Sequence, residues 1–187
     1  MRWLLTLAMF CSLALTSSVI ASTDPPVNGG GPRLRPQSPF VAGLLKAGTA
    51  RSATMRSLVD RIEAGNVIVY IAVNPLLKSS LSGGLTWMTR AGEFRFVRAS
   101  ISRDLTPDQM IATLAHELQH AAEVAEDESV ISEATLVAMY RRIGLQGRGA
   151  APGFETVAAQ EMGYQVRREL GAAPAPAVSR TSDSAQS

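Results

Sequence analysis

The sequence predicts an α+β fold in which a small antiparallel sheet packs on a helical half. Residues 67–73 (VIVYIAV) form a continuous apolar run rich in β-branched side chains, which is typical of a strand covered on both faces. Residues 85–89 and 93–101 flank a short turn that ends at Gly92, and this pattern predicts a β-hairpin. The other apolar stretches have helical spacing, so strands and helices are segregated along the chain.

Two helices are predicted before the strands. Ser38 followed by Pro39 can start a short helix that continues to Lys46. A second helix is predicted over residues 53–64, because Met55, Leu58, Val59 and Ile62 share one face and Gly65 follows as a stop.

Three helices are predicted after the hairpin. The first begins at Thr106, which acts as N-cap, with Pro107 in the first turn and Gln109 placed to close a capping box, and it continues to Glu126. The others cover residues 130–143 and 155–170. The glycine-rich residues 144–153 between them predict a loop.

The first 21 residues predict an export signal. Arg2 precedes an apolar run, and Val19-Ile20-Ala21 fits a small-x-small cleavage site. Cys11, the single cysteine, lies within this run, so the mature chain would have none. We therefore expect export to the periplasm or the extracellular space of a bacterium, with no stable membrane insertion after cleavage.

Composition predicts how the remaining residues divide into a linker, one folded domain and a tail. Residues 22–38 are rich in Pro, Gly and Ser and predict a disordered linker, residues 39–171 a single domain, and the Ala/Pro/Ser-rich residues 172–187 a disordered tail. The formal net charge is only +2 and basic and aromatic residues are not interleaved, so no nucleic-acid partner is expected.

The chemistry is concentrated in His116-Glu117-Leu118-Gln119-His120, an H-E-x-x-H sequence on the predicted helix that starts at Thr106. Residues four apart on a helix lie on the same face, so the two imidazoles can bind one Zn²⁺ ion. Glu117 would flank the open coordination position, where it could remove a proton from a bound water. These are the only two histidines of the chain.

A third protein ligand is expected for such a zinc site, and it must be a carboxylate. Glu155 heads the apolar stripe of the last predicted helix, and Glu133 would lie level with His120 if the preceding helices form a tight hairpin. Glu123, one turn beyond His120, is better placed to hold that histidine from outside the metal shell. The acidic turn at residues 126–128 is a further alternative.

The H-E-x-x-H sequence with a downstream glutamate resembles the zincin metallopeptidases, specifically the gluzincin branch. Glu155-Thr156-Val157-Ala158 is similar to the E-x-x-A signature of several gluzincin families, whereas Glu133-Ala134-Thr135-Leu136 fits it less well. The chain also resembles small secreted bacterial H-E-x-x-H proteins. This resemblance implies one zinc ion per chain held by His116, His120 and Glu155, and Glu117 as general base.

The resemblance implies a secreted zinc metallopeptidase that hydrolyses peptide or protein substrates. The edge of the 85–101 hairpin can bind an extended substrate by strand addition. The negative oxygen of the tetrahedral intermediate needs a hydrogen-bond donor, and the suitable residue types nearby are Tyr140, Tyr164 and Arg141. We nevertheless expect all three to lie on the surfaces of their helices. The alternatives are an exported binding protein with a metal-stabilised core, a helical interaction module with an accidental motif, and a hydrolase of other acyl bonds.

Overall fold

The computed structural model describes residues 31–77, 81–145 and 154–172, which form four strands and five helices. The strands are β1 (Leu34–Pro36), β2 (Val67–Val73), β3 (Gly83–Ala91) and β4 (Phe94–Ile101). The helices are α1 (Pro39–Arg51), α2 (Ala53–Glu63), α3 (Pro107–Glu126), α4 (Glu133–Ile143) and α5 (Val157–Gly171). The predicted α+β fold class is confirmed.

The four strands form one mixed sheet in the order β1-β2-β4-β3. Strands β3 and β4 form the predicted antiparallel hairpin, and Gly92 adopts the left-handed conformation in its turn. Strand β2 lies parallel to β4, and β1 lies parallel to β2. The prediction of an antiparallel sheet is therefore correct only for the hairpin and wrong for the rest of this mixed sheet, where β1 and β2 add in parallel. Strand β3 lies at one edge.

Strand β1 was not predicted. It lies within residues 22–38, so the prediction of a disordered linker is wrong for Leu34–Pro36. Leu34 pairs with Val69 of the buried strand β2, and Pro36 ends the strand at the edge of the sheet, where a missing N–H is tolerated. Three residues are too few to show an alternating pattern, so this strand depends on pairing with β2.

Each described helix begins after a residue whose hydroxyl accepts a hydrogen bond from the first turn, as is typical of N-caps. These residues are Ser38, Ser52, Thr106, Ser132 and Thr156. Helix α1 continues to Arg51, past the predicted end at Lys46, because Ser52 both ends α1 and caps α2. The predicted capping box of Thr106 and Gln109 is confirmed at the start of α3.

Helix α3 lies in the centre of the molecule, between the sheet and helices α1, α2 and α5. Its Ile111, Leu114 and Leu118 are buried in the core with side chains of β2 and β4. The buried Arg95 of β4 donates hydrogen bonds to the backbone oxygens of Val124, Ala125 and Asp127. Because these carbonyls have no partner within the helix, Arg95 fixes the end of α3 against the sheet.

Helix α5 runs antiparallel to α3. The guanidinium of Arg51 bonds both the carboxylate of Asp108, in the first turn of α3, and the backbone oxygen of Leu170, near the end of α5. Near the middle of α5, a Cβ atom built on Gly163 would lie 3.2 Å from the Cβ atom of His116. The beginning of α5 therefore lies beside the second half of α3.

Several predictions concern residues that the structure does not describe. They are the export signal over residues 1–21, the linker as far as residue 30, most of the 144–153 loop and the tail from residue 173. Within the described ranges, none of the helices combines the length and the apolar character needed to cross a bilayer.

Candidate metal centre

Helix α3 carries the two histidines on one face, one turn apart, as predicted. Their rings lie nearly perpendicular, with centroids 4.9 Å apart. The backbone before α5 adds Glu155, and one ligand atom from each of His116, His120 and Glu155 lies within 4.8 Å of the other two. The three side chains therefore lie close enough together to hold a metal ion.

Glu155 was expected to open the last helix, but the structure places it two residues before the first residue of that helix. Helix α5 begins at Val157 with Thr156 as its N-cap, so Glu155 precedes the cap. Its Oε1 atom lies 3.2 Å from Nε2 of His116, and its side chain is 38% exposed. This position directs the carboxylate toward the histidines without burying it in the core.

Glu123 connects a histidine to the cap of α5. Its Oε2 atom lies 2.9 Å from Nδ1 of His120, and its Oε1 atom accepts a 2.6 Å hydrogen bond from the hydroxyl of Thr156. Glu123 therefore has the outer position predicted for it. Donation from Nδ1 to a carboxylate leaves Nε2 of His120 as the atom that can bind a metal.

His116 is also in contact with α5. A Cβ atom built on Gly163 would lie 3.2 Å from the Cβ atom of His116, and burial lowers the pKa of its imidazole. A neutral imidazole is the form that binds metal ions. Both histidines are therefore oriented by contacts in which α5 takes part.

Glu117 is buried beside this cluster, with 4% of its surface exposed. In the described part of the chain no group donates a hydrogen bond to its carboxylate, and burial raises the pKa of Glu117 to about 7. A Cβ atom on Gly83 would lie 2.5 Å from Oε1 of Glu117, so only glycine allows the start of β3 to approach this closely. The carboxylate is thus enclosed between α3 and the edge strand.

Tyr140 of α4 also belongs to this region, although a helix-surface role was expected for it. That expectation is wrong: Tyr140 is buried, and its ring packs edge-on against His120 with centroids 5.3 Å apart. Its hydroxyl has no hydrogen-bond partner among the described residues, and burial raises its pKa above the ordinary value. The spacing of Leu136 and Tyr140 on one helix face was the available signal.

The other predicted candidates lie outside the cluster. Glu133 is the first residue of α4 and is exposed. In the acidic turn, Asp127 ends α3 and forms an ion pair with Arg142. Tyr164 is largely exposed but lines the cavity in front of the cluster.

A cavity of about 550 Å³ opens between α3, α5 and the beginning of β3. Its walls include His116, Glu117 and Glu155, so the base candidate and two candidate ligands face the same space. Two imidazole nitrogens and one carboxylate oxygen form a donor set that can hold a divalent metal ion. The described residues offer no hydrogen-bond partner to the buried Tyr140 hydroxyl beside His120.

Comparison with known proteins gives no match: no protein-family model, no curated protein and no solved structure is significantly similar to the chain. The resemblance to zincins therefore stays a prediction from the H-E-x-x-H sequence and the downstream glutamate.

Proposed function

We propose that the chain is a secreted, zinc-dependent peptidase. The observation that carries this proposal is the position of Glu117, which faces the same cavity as His116 and Glu155. In the proposed site, His116, His120 and Glu155 hold the ion, and Glu123 orients His120 from outside. Bound zinc would supply Lewis acidity, which makes water more acidic and polarises the substrate carbonyl.

Glu117 has the properties of a general acid–base group. A carboxyl group whose pKa is near 7 can exist in both protonation states at neutral pH. In the proposed reaction, the carboxylate takes a proton from water as the water oxygen adds to the carbonyl carbon. The same proton then passes to the leaving nitrogen as the C–N bond breaks, which yields a carboxylic acid and an amine.

A peptide is the favoured substrate because of the neighbouring strand. Strand β3 is an edge strand of the described sheet, and it begins at Gly83, directly beside Glu117. Leu81, Ser82 and Gly83 line the same cavity. An extended peptide that pairs with this edge would pass close to Glu117, with its backbone hydrogen bonds satisfied by β3.

Zinc content and peptide hydrolysis should be measured together in the purified chain. We expect one zinc ion per chain, hydrolysis of a pool of blocked octapeptides, and loss of both after chelation. Glu155→Gln should lose the ion, because it removes a charged ligand. Glu133→Gln is the matched control and should keep both zinc and activity, since Glu133 is exposed outside the cluster.

Three outcomes would change the proposal. Loss of zinc in Glu133→Gln but not in Glu155→Gln would move the site to α4. Stoichiometric zinc without hydrolysis of any peptide would favour the alternative of an exported, metal-stabilised binding protein. A wild-type chain that binds no supplied zinc would contradict the metal site itself.

A further inference from the structure

The cavity extends well beyond the metal cluster. From His116 it follows α3 back toward the beginning of that helix, past Thr113 and Ala112 to Gln109. The opposite wall is one face of α5, which contributes Gln160, Gly163, Tyr164 and Arg167. These residues recur at helical spacing, so the wall is continuous along about two turns of α5.

Arg167 lies at the end of this wall that is remote from the cluster. Gly163 packs against His116, and Arg167 follows one turn later, about 6 Å further along the helix axis. Because α5 is antiparallel to α3, this step leads toward Gln109 and away from Glu155. An arginine side chain at this position can reach a group bound two or three residues from the metal cluster.

Arg167 is the single lysine or arginine among the described residues that line the cavity. It forms neither a hydrogen bond nor an ion pair with any residue of the described ranges. Neighbouring arginines are engaged elsewhere: Arg51 is paired with Asp108, and Arg168 stacks on the ring of Tyr164 at 5.9 Å. The guanidinium of Arg167 is therefore available to a ligand in the cavity.

We propose that Arg167 binds a carboxylate of the substrate. The planar guanidinium fits a carboxylate with two parallel hydrogen bonds, and this geometry selects it over a neutral side chain. In an extended peptide, which advances about 3.3 Å per residue, the carboxylate lies two or three residues from the scissile bond. The group is either an Asp or Glu side chain or a free C-terminus. This inference rests on the proposed peptidase function.

The test uses blocked octapeptides in which each position in turn carries Glu or Gln, together with the same peptides with a free or an amidated C-terminus. We expect one placement of the carboxylate to lower KM about tenfold relative to its neutral counterpart, at similar kcat. Arg167→Gln should abolish that difference and leave neutral peptides unaffected. Arg168→Gln is the matched control, because Arg168 does not line the cavity, and it should keep the preference.

Binding is measured separately from turnover, by calorimetry with the same peptides and the zinc-loaded Glu117→Gln protein. Binding that depends on the carboxylate and on Arg167 supports this inference, even if the wild type cleaves no peptide and the proposed function fails. Hydrolysis with equal KM for charged and neutral peptides overturns it while the proposed function stands. A preference that persists in Arg167→Gln, or the absence of both binding and cleavage, also overturns it. A preference confined to the free C-terminus identifies that group as the source of the carboxylate.

Discussion

Helix α5 contacts two polar clusters, one toward each of its ends, and the glutamates of these clusters have opposite surroundings: Glu169 is half-buried among donors, whereas Glu117 is buried. Toward the end of α5, Glu169 accepts hydrogen bonds from Ser52, from the backbone and hydroxyl of Thr54, and from Gln165. Burial by itself would raise the pKa of Glu169, but these donors outweigh it and lower the pKa to about 2. Beside the beginning of α5, Glu117 has no donor in the described ranges, and burial raises its pKa to about 7.

This difference distinguishes a cluster that stabilises the fold from the cluster that we propose takes part in catalysis. A carboxylate that accepts several hydrogen bonds stabilises the folded chain, and the half-buried Glu169 in this way ties α5 to the start of α2. A buried carboxylate without donors is unfavourable unless another group compensates it. At the candidate metal cluster, neither Glu117 nor the Tyr140 hydroxyl has a hydrogen-bond partner among the described residues, and Glu117 lines the cavity.

The largest effect is expected for Glu117→Gln. The amide has the same shape but cannot take up a proton from water, so peptide hydrolysis should fall by about 10²- to 10⁴-fold. Zinc content should be unchanged. Thermal stability should be unchanged or slightly higher, because a buried carboxylate that has no donor among the described residues is removed. Steady-state hydrolysis, metal analysis and a melting curve on one preparation test this. Retained activity would remove Glu117 from the mechanism.

Tyr140→Phe should separate metal binding from folding. If the Tyr140 hydroxyl finds its partner only in the loaded site, its removal should weaken zinc binding about tenfold. The metal-free variant should be as stable as the wild type or more stable by about 1 kcal/mol, because the unpaired hydroxyl is gone. Competition with a zinc chelator and denaturant unfolding of the metal-free protein measure the two effects. A loss of metal-free stability would show that the hydroxyl has a structural partner.

Gly163→Ala tests the close approach of α5 to His116. The added Cβ atom would lie 3.2 Å from the Cβ atom of His116 and 3.3 Å from the backbone oxygen of Ala112, so one helix must shift. We expect a loss of about 1–2 kcal/mol in the free energy of unfolding and weaker zinc binding.

The control for this variant is Gly43→Ala in α1, where the added atom meets nothing within 4 Å. It should stabilise the chain by about 0.5–1 kcal/mol, because alanine favours the helix, and leave zinc binding unchanged. Equal effects of the two substitutions would contradict a tight contact between Gly163 and the metal cluster.

The last prediction concerns the pH dependence of stability at Glu169, outside the metal cluster. Its pKa is lower in the folded state than the ordinary value of 4.5, so it stabilises the fold above that value. This contribution is lost as the pH falls through about 2, the pKa in the folded state. Allowing for partial exposure, we expect Glu169→Gln to be about 1–2 kcal/mol less stable than the wild type at pH 7. The gap should close toward pH 2 in denaturant titrations, and a gap independent of pH would contradict this account.

Local sequence determined much of this protein, because the signals lie within a few residues of the structure they specify. Thr106 and Gln109 start α3, the β-branched run over residues 67–73 forms the central strand β2, and Gly92 turns the hairpin. The four-residue spacing of His116 and His120 places both imidazoles on one face of the helix and requires no tertiary contact.

Tertiary structure decided the features that depend on residues far apart in the chain. Strand β1 exists because it pairs with β2, and no periodic pattern marks it. The position of Glu155 depends on the bond between Thr156 and Glu123, two residues 33 positions apart. The burial of Tyr140 against His120 and the place of Arg167 in the cavity likewise follow from how α4 and α5 pack. Helical periodicity states which residues share a face, whereas only packing determines what that face meets.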